Sequence, residues 1–360
     1  MASSSSSSLW VLYLLVCCVC LLKGTEAQGN PPIVGGLSWT FYAQSCPNVE
    51  KIVRDELRKV FQRDIGLAAA LLRIHFHDCF VQGCDGSVLL DGSASGPGEK
   101  EAPPNLTLRP EAFNTLNNLR AAVQRACGQT VSCSDILAIA ARDSVALSGG
   151  PDYRVPLGRR DGLTFATRNA TLANLPPPSS NASALIAALA RLNLDRTDLV
   201  ALSGGHTIGI GHCPSFTPRL YPNQDPSMDK TFANNLKRTC PAANTDNTTV
   251  LDIRSPNLFD NKYYVDLMNR QGLFTSDQDL YTDSRTRSIV TSYAINQTLF
   301  FEQFARSMVK MGQLSVLTGG QGEIRANCSR RNAASVAVTD LESVVDDAQD
   351  GDDAGFAASY

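Results

Sequence analysis

Several features that mark large classes of protein are missing from this chain of 360 residues. Beyond residue 27 no stretch is long and apolar enough to cross a membrane, which argues against an integral membrane protein. No clustered basic segment is present, so a nucleic-acid-binding protein is not expected. Internal repeats and long linkers are also lacking, and the pattern therefore predicts one globular unit between the two ends of the chain.

The chain also lacks the residue spacing of a zinc site. No two cysteines after residue 27 are spaced as CxxC. His75, His77 and Asp78 could suggest a metal-dependent hydrolase, but two side chains that are two residues apart on a helix diverge by about 200°. No other group of histidines is available to complete the ligand set. A metal-dependent hydrolase is therefore an alternative that the spacing disfavours.

The first 27 residues have the pattern of a signal peptide. A Ser-rich start is followed by an apolar run over residues 9–22, and Thr25-Glu26-Ala27 places small residues at the two positions that a signal peptidase reads. The usual positive charge before the apolar run is absent. We expect export of the chain, cleavage after Ala27, and cyclisation of Gln28 to pyroglutamate.

Eight cysteines remain after this segment, because Cys17, Cys18 and Cys20 belong to it. The eight lie at positions 46, 79, 84, 127, 133, 213, 240 and 328. An even number of cysteines in an exported chain predicts four disulfides. Sequence alone leaves the pairing open, although Cys79 and Cys84 are close enough to close a short loop.

Six N-x-S/T triplets and an uneven charge distribution also suit an exported glycoprotein. The triplets begin at Asn105, Asn169, Asn181, Asn247, Asn296 and Asn327. Residues 28–332 hold 31 Lys and Arg and 27 Asp and Glu, a net charge of about +4 that would suit loose contact with acidic polysaccharide. Residues 333–360 hold seven carboxylates and no Lys or Arg, which predicts a disordered or removable extension.

Apolar residues at helical spacing recur through the body of the chain. The pattern predicts helices over residues 51–63, 67–80, 113–123, 134–147, 183–192, 197–202, 260–270 and 286–311. Gly-Gly, Pro-rich and Asn-rich segments separate them. We expect an all-α fold of roughly ten helices in two lobes around a cleft.

Two histidines stand out against this helical background. Residues 67–80 are rich in Ala and Leu and contain no Gly or Pro, so the segment is predicted as a buried helix. Arg73 and His77 are four residues apart and would share one face about 5–6 Å apart, which brings a cation and a base to one cavity. His206 follows Gly204-Gly205 at the predicted C-terminal end of a short helix. Alone, either histidine has a structural explanation as a core or capping residue.

Taken together, the two histidine motifs closely resemble those of the plant secretory haem peroxidases, known as class III. The resemblance extends over residues 37–332. It includes all eight cysteines and the motifs Arg73-x-x-Phe76-His77-Asp78-Cys79, Val81-Gln82-Gly83-Cys84-Asp85-Gly86-Ser87, Glu99-Lys100, Pro104-Asn105, Val131-Ser132-Cys133-Ser134-Asp135, Leu157-Gly158-Arg159-Arg160-Asp161, Ser203-Gly204-Gly205-His206-Thr207, Phe259-Asp260-Asn261-Lys262-Tyr263-Tyr264 and Ser276-Asp277-Gln278. It implies an all-α haem peroxidase fold of ten or more helices, with two lobes enclosing one haem b and little β structure.

The resemblance implies a haem ligand and its partner. His206 would bind the haem iron, and Asp277 would accept a hydrogen bond from the other ring nitrogen and increase the electron donation of the imidazole. Phe76 would lie at the haem site. Without His206 as a partner, Asp277 would have been interpreted as a solvated aspartate in a turn.

On the opposite side of the haem, the resemblance implies catalytic roles. His77 would act as general base and then general acid on H2O2, and Arg73 would stabilise the charge on the leaving oxygen. Asn105 and Glu99 would hold the tautomer of His77, a role with which a glycan on Asn105 would conflict. Pro176 would line the site of a small phenolic donor.

Two calcium sites and a disulfide pairing follow from the same resemblance. One Ca²⁺ would be bound by Asp78, Val81, Gly83, Asp85 and Ser87, and a second by Thr207, Asp252, Ser255, Leu258 and Asp260. The disulfides would be Cys46–Cys127, Cys79–Cys84, Cys133–Cys328 and Cys213–Cys240. The expected oligomeric state is a monomer, the default of the family.

The implied function is reduction of H2O2 to water with oxidation of two equivalents of a phenolic donor, in H2O2 removal, the response to oxidative stress and phenolic or cell-wall polymer metabolism. The mature domain would span residues 28–332 and be secreted to the cell wall, although acidic extensions in the family sometimes direct a protein to the vacuole. An alternative is a secreted binding protein of the same fold that has lost catalysis.

Three features depart from the family pattern. Residues 28–36 are extra, the acidic extension is extra, and Leu108-Arg109-Pro110-Glu111 replaces the more usual Arg-Gly-Phe after the loop of Asn105. The third departure could alter how Asn105 holds His77, and with it the pH range of activity.

Overall fold

The computed structural model describes residues 31–93 and 96–333 of the chain. The expected signal peptide, Gln28 and all but the first residue of the acidic extension lie outside these residues. Within them the fold is predominantly helical, and none of the helices has both the length and the apolar character needed to span a membrane.

Twelve α-helices occur in the part of the chain that the structure describes. In order they are α1 (Val49–Arg63), α2 (Gly66–Val81), α3 (Pro110–Cys127), α4 (Cys133–Leu147), α5 (Arg168–Asn174), α6 (Ala182–Ala190), α7 (Arg196–Ser203), α8 (Lys230–Thr239), α9 (Lys262–Met268), α10 (Thr275–Thr282), α11 (Arg287–Ile295) and α12 (Gln297–Met311). All of the predicted helices except the last are present, with ends that differ by a few residues. Most buried apolar side chains of the described residues belong to one continuous core.

Helices α2 and α4 form the centre of this core and pack against each other. Side chains around the whole circumference of α2 are buried, and every residue of α4 from 133 to 145 is buried. A helix with no solvent-facing side is apolar around most of its circumference, and the charged residues of α4, Asp135, Arg142 and Asp143, are buried in ion pairs. The helix that carries Arg73 and His77 is therefore held by the core on nearly all sides.

Two short strands form a small antiparallel pair after His206. They are β1 (Ile210–His212) and β2 (Thr248–Val250), with Ile210 opposite Val250. The chain between them is closed by the disulfide Cys213–Cys240 and packs around a second, smaller apolar core. The expectation of little β structure is confirmed, and the pair fixes the segment that leads away from His206.

Four disulfides are present, with the pairing that the family resemblance implies. They are Cys46–Cys127, Cys79–Cys84, Cys133–Cys328 and Cys213–Cys240. The third joins the start of α4 to the C-terminal segment across 195 residues of sequence. On the chain-entropy model, closing a loop of that length stabilises the fold by about 5 kcal/mol.

The prediction of one continuous helix over residues 286–311 is wrong. The chain breaks at Asn296, whose backbone is extended and whose Oδ1 accepts a hydrogen bond from Leu299 N over 3.0 Å. Asn296 thereby caps α12 by satisfying one of its free backbone N–H groups. Because α11 and α12 both bury apolar faces, the apolar period continues across the break and conceals it.

Three helices are not predicted by the apolar pattern. Helices α5 and α8 are capped by the preceding residues Thr167 and Asp229, whose side chains accept hydrogen bonds from the backbone N–H groups three residues on. Helix α10 begins after Phe274, whose N–H donates to Asp277 Oδ2 over 2.8 Å. All three have ten residues or fewer, and hydrogen bonds between side chains and backbone in the first turn define their starts, which an apolar period does not report.

The helix before His206 also ends differently from the prediction. Helix α7 continues into a 3₁₀ turn, Gly204–Thr207, and Gly204 has a right-handed φ of −61° rather than a left-handed capping conformation. A residue without a side chain is required at position 204, because neighbouring side chains leave no room for a Cβ. A Cβ at this position would overlap the hydroxyl of Tyr264 and lie 2.5 Å from the ring of Phe300.

We expect Gly204→Ala to lower the free energy of unfolding by about 1–3 kcal/mol, because Tyr264 and Phe300 are fully buried and cannot move aside without disturbing the core. Gly205→Ala is the matched control, since a Cβ there meets only Leu72 Cδ2 at 3.5 Å. Urea unfolding of both variants measures the difference. Equal stability of the two would show that Gly204 is not needed for packing.

Candidate active site

Arg73 and His77 lie side by side on α2, as their spacing predicts, and are called the Arg–His pair below. The Nε–H of Arg73 donates a hydrogen bond to Nε2 of His77 over 3.2 Å. His75 points away from the pair, with Nδ1 of its ring 3.7 Å from Sγ of Cys79. One face of α2 therefore presents a cation and a base to the same space.

The second ring nitrogen of His77 faces the 3₁₀ turn Pro103–Asn105. Oδ1 of Asn105 lies 2.5 Å from Nδ1 of His77, and Nδ2 of Asn105 donates to the main-chain oxygen of Glu99 over 2.7 Å. Because Nε2 of His77 accepts from Arg73, this network assigns the ring proton to Nδ1. Burial and the charge of Arg73 lower the pKa of His77 to about 3, so the ring is neutral at ordinary pH.

Glu99 contributes to this chain through its backbone rather than through its carboxylate. Its Oε1 accepts a hydrogen bond from Ala166 N over 2.8 Å, and its Oε2 is buried with no hydrogen-bond partner among the described residues. Burial raises the pKa of Glu99 to about 7. The charge of Glu99 also contributes to raising the pKa of Asp78, a residue of the first expected calcium set.

Arg73 is held by neutral oxygen atoms. Its Nη1 donates to Oγ1 of Thr107 over 2.9 Å, and its Nη2 donates to the main-chain oxygen of Pro104 over 2.9 Å. Within residues 31–93 and 96–333 no carboxylate acts on its pKa, which burial lowers to about 10. The guanidinium is therefore protonated at ordinary pH, and its charge is not neutralised by an anion of the described chain.

The segment Leu108-Arg109-Pro110-Glu111, which departs from the family pattern, follows closely on the turn Pro103–Asn105 and is itself fixed in the structure. Leu108 is buried in the core, Arg109 forms an ion pair with Asp64 over 2.6 Å, and α3 begins at Pro110. The hydrogen bond between Asn105 and His77 is formed in the presence of this segment.

His206 lies within the turn Gly204–Thr207, and its side chain is 39% exposed. Its Nδ1 is 2.7 Å from Oδ1 of Asp277. Asp277 is buried and also accepts hydrogen bonds from the Tyr263 hydroxyl over 3.0 Å and from Phe274 N over 2.8 Å. The rings of Tyr263 and Phe274 meet the imidazole edge to face. With Nδ1–H fixed toward Asp277, Nε2 is the atom that remains to bind a metal ion.

Helix α2 brings the two histidine motifs to one region. Gly205 and Gly209, on either side of His206, lie against this helix: a Cβ on Gly205 would be 3.5 Å from Leu72 Cδ2, and one on Gly209 would be 3.1 Å from Ala69 Cβ. The Arg–His pair lies further along the same helix. The space between the pair and the His206 turn is thus bounded by residues of a single buried element.

Phe76 and Pro176 border the same region. The ring of Phe76 is partly buried and lies 5.1 Å from that of His77 and 4.5 Å from that of Phe80, between ring centroids. Pro176 is half-buried just beyond α5, a helix that packs on α2 and on the turn Pro103–Asn105. Phe76 thus packs beside the ring of His77, and Pro176 follows a helix that packs on the turn Pro103–Asn105.

The first expected calcium set is a cluster of buried oxygen atoms at the C-terminal end of α2. Asp78, Asp85 and Ser87 are buried, and Oγ of Ser87 has no hydrogen-bond partner among the described residues. Burial and the neighbouring Asp85 raise the pKa of Asp78 well above its usual value. Val81, the last residue of α2, and Gly83 lie within the segment that the disulfide Cys79–Cys84 closes. Two neighbouring buried carboxylates with a hydroxyl beside them fit a hard cation.

The second expected set surrounds the residue after His206. Oγ1 of Thr207 lies 3.0 Å from Oδ2 of Asp252 and 3.4 Å from Oδ1 of Asp260, and Oγ of Ser255 lies 2.9 Å from Oδ2 of Asp260. Leu258 lies in the intervening turn, where its N–H donates to Ser255 O over 3.0 Å.

Each expected set supplies only two carboxylates. In the described ranges no group of three or more His, Cys, Asp or Glu side chains is arranged to hold a metal ion. Both sets therefore depend on hydroxyl and carbonyl oxygens as well, which is donor chemistry that suits calcium rather than a transition metal.

The six N-x-S/T asparagines differ in exposure. Asn105 is 3% exposed, and both ends of its side chain are hydrogen-bonded, so the folded site excludes a glycan there. The other five, at positions 169, 181, 247, 296 and 327, are exposed.

Three contacts of the site are not predicted by the sequence. They are the hydrogen bonds of Thr107 to Arg73, of Tyr263 to Asp277 and of the Ala166 backbone to Glu99. Tyr263 belongs to one of the matched motifs, and Thr107 is the threonine of the triplet that begins at Asn105. Membership in a motif draws attention to Tyr263 and Thr107, but it does not indicate that Tyr263 contacts Asp277 or that Thr107 contacts Arg73.

Comparison with known proteins is consistent with this geometry. A family model described as Peroxidase matches residues 53–296. The chain is 71% identical to Peroxidase 12 of Arabidopsis thaliana over 314 residues, which cover 87% of this chain and 88% of that protein. It is 61% identical to Cationic peroxidase SPC4 of Sorghum bicolor over 331 residues, 91% of each chain. It is 44% identical to Peroxidase 15 of Arabidopsis thaliana over 332 residues, 90% of this chain and 96% of that protein.

Proposed function

The chain is a haem peroxidase and belongs to the plant secretory class of that family, and from this premise we propose that it reduces H2O2 to water while oxidising two equivalents of a small phenolic donor. Its helical architecture is that of the all-α haem peroxidase fold. The alternative of an inactive binding protein has no support, since a residue of the required type occupies every expected position of the site.

One observation supports the proposal best: each of two histidines has its Nδ1 committed to a buried partner. His77 is bound to Asn105, and His206 is bound to Asp277. Their Nε2 atoms are thereby left for chemistry, one of them beside the cation of Arg73. A positioned base on one side and a metal ligand on the other is the arrangement that reduction of peroxide by a haem enzyme needs.

The residues on the His206 side fit one haem b. His206 would hold its iron through Nε2, and the hydrogen bond from Nδ1 to Asp277 would raise the basicity of the ring. Bound haem would supply an iron that accepts two oxidising equivalents from peroxide and passes them on one at a time. Phe76 would contact the cofactor, and Pro176 would line the approach of the phenolic donor.

The Arg–His pair would carry out the proton chemistry. Nε2 of His77 would accept the proton of H2O2 and return it to the departing oxygen. Arg73 would stabilise the negative charge on that oxygen, to which its Nε–H can turn once the ring of His77 is protonated. Asn105 would keep His77 in the tautomer whose Nε2 carries no proton, and Glu99 would hold Asn105 through its main-chain oxygen.

A stoichiometric assay tests the proposed reaction. The haem-loaded protein is given limiting H2O2 and an excess of a simple phenol, and the loss of both is measured. Two donors consumed for each H2O2 support the proposal. Haem uptake without oxidation of the phenol, or no haem uptake, would favour the inactive binding protein instead.

We expect the rate constant for the reaction with H2O2 to be flat from about pH 4 to pH 8 and to fall in stronger acid. The reason is that His77 can accept a proton only as the neutral ring, and its pKa is lowered to about 3. The measurement is a stopped-flow pH jump from neutral buffer. An acid limb centred near pH 6.5, the value of an unperturbed histidine, would contradict the buried position of the base.

The time that the protein spends at low pH must be short, because burial of neutral histidines also makes the fold sensitive to acid. The pKa values of His75 and His77 are both about 3 in the native protein and near 6.5 in the unfolded chain. Below pH 6.5 the unfolded chain therefore binds more protons than the native protein. Stability contributed by the two neutral rings is present above pH 6.5 and is lost as the pH falls from 6.5 toward 3.

Two Ca²⁺ ions are proposed, one at Asp78, Val81, Gly83, Asp85 and Ser87 and one at Thr207, Asp252, Ser255, Leu258 and Asp260. The buried carboxylates of Asp78 and Asp85 beside the Ser87 hydroxyl support the first, and the convergence of Thr207, Asp252 and Asp260 supports the second. Each site would fix a segment next to one histidine motif.

We expect chelation with EGTA to lower the melting temperature and added Ca²⁺ to restore it, because a cation that binds only the folded state stabilises it by about 4 kcal/mol at a thousandfold excess over its Kd. Elemental analysis should find two calcium ions in the parent. Asp85→Ala and Asp252→Ala should each leave one. Two retained ions in both variants would contradict the proposed ligand sets.

The chain is further proposed to be exported as a monomer, with residues 1–27 removed and residues 28–332 forming the peroxidase domain. The disulfides and the exposed N-x-S/T triplets support an oxidising, extracellular destination such as the cell wall. The acidic extension, residues 333–360, would be removed or would direct the protein to the vacuole.

A further inference from the structure

The guanidinium of Arg73 is held at three nitrogen atoms. Nε donates to His77, Nη2 donates to the main-chain oxygen of Pro104, and Nη1 donates to the hydroxyl of Thr107 over 2.9 Å. Only one of the contacts outside α2 comes from a side chain, which is that of Thr107. The position of Arg73 thus depends on a residue 34 positions along the chain.

The nature of these partners matters for catalysis. A carboxylate partner would fix Arg73 but would also neutralise much of its charge, whereas a hydroxyl and a carbonyl accept hydrogen bonds without doing so. Among the described residues no carboxylate contributes to the pKa of Arg73. Its full positive charge therefore remains available to stabilise an oxygen anion.

Thr107 is itself well placed to fix another side chain. On one side of it, Asn105 is bound to His77 and to Glu99 O. On the other side, Leu108 is buried in the core, and its N–H donates to Asn105 O over 2.9 Å. The short loop over residues 104–107 is therefore tied down at both ends, while Thr107 is exposed and contributes little to the core.

We propose that Thr107 is a positioning residue for Arg73, so that one loop, residues 104–107, sets the place of both members of the Arg–His pair. Asn105 acts on His77, and Thr107 acts on Arg73. The asparagine and the threonine of a single N-x-T triplet then serve the reaction with peroxide, and neither serves as a glycosylation signal in the folded enzyme. The inference rests on the proposed function, since it assigns Thr107 a role in that reaction.

The test compares Thr107→Val, Thr107→Ala and Thr107→Ser in the haem-loaded enzyme, refolded from bacteria so that no triplet carries a glycan. T107V keeps the shape of the side chain and removes the hydroxyl, whereas T107S keeps the hydroxyl. The rate constant for H2O2 should fall about tenfold in T107V and T107A and stay within about twofold of the parent in T107S. The KM for a phenolic donor should be unchanged in all three.

A crystal structure of T107V supplies a readout other than activity. The guanidinium of Arg73 should leave its place beside Pro104 O, while Asn105 should still contact His77. A parent-like rate in T107V and T107A, an equal loss in T107S, or an unmoved Arg73 would overturn the inference. Failure of the parent itself to react with H2O2 would instead refute the proposed function, so the two failures are distinguishable.

Discussion

His77→Ala should lower the rate constant for the reaction with H2O2 by about 10²–10⁴-fold, the usual contribution of a positioned acid–base group. The variant loses the only base that shares a helix face with Arg73 in the described structure. Haem should still bind, because His206 and Asp277 lie on other elements. Stopped-flow absorbance after mixing with H2O2 measures the effect.

His75→Ala is the matched control for this variant. It also removes a buried imidazole from α2, but His75 faces Cys79 rather than the Arg–His pair. Its rate should stay within about threefold of the parent, even if its melting temperature falls. Equal losses in the two variants would mean that damage to α2, and not the loss of a base, causes the effect.

Arg73→Leu should lower the same rate constant by about 10²–10³-fold, which is the typical cost of removing one donor that stabilises a developing anion. The loss should be larger than that in T107V, because T107V displaces the charge whereas R73L deletes it. The rate of phenol oxidation at saturating H2O2 should change much less. The two rates are separated by transient and steady-state kinetics on one preparation.

Arg73→Lys provides the control for charge alone. Lysine keeps the cation but cannot donate at once to His77, Pro104 O and Thr107 from three fixed positions. We expect a rate between those of the parent and R73L. A rate in R73L equal to that of the parent would remove Arg73 from the mechanism.

Local periodicity predicts the parts of this site that lie within one helix. The spacing of Arg73 and His77 predicts their contact, and the structure forms it at 3.2 Å. A buried α2 also follows from its Ala- and Leu-rich sequence. The break at Asn296 is not predicted, because a capping side chain ends one helix and starts the next without interrupting the apolar period.

Contacts between distant segments are beyond such reasoning. His77 meets Asn105 across 28 residues, and His206 meets Asp277 across 71. Tertiary packing alone brings these segments together, so only the resemblance to a family could suggest the pairs. The resemblance does not show that Glu99 acts through its backbone or that Thr107 holds Arg73, since both depend on the local course of the loop over residues 99–107.

The central claim is that this chain binds haem through His206 and reduces peroxide with the Arg–His pair. Its most direct test is the absorption spectrum of the haem-loaded protein before and after one equivalent of H2O2. We predict a Soret band that changes within seconds, returns after two equivalents of a phenol, and responds far more slowly in H77A. A Soret band that is unaffected by H2O2, or a protein that takes up no haem, would contradict the account.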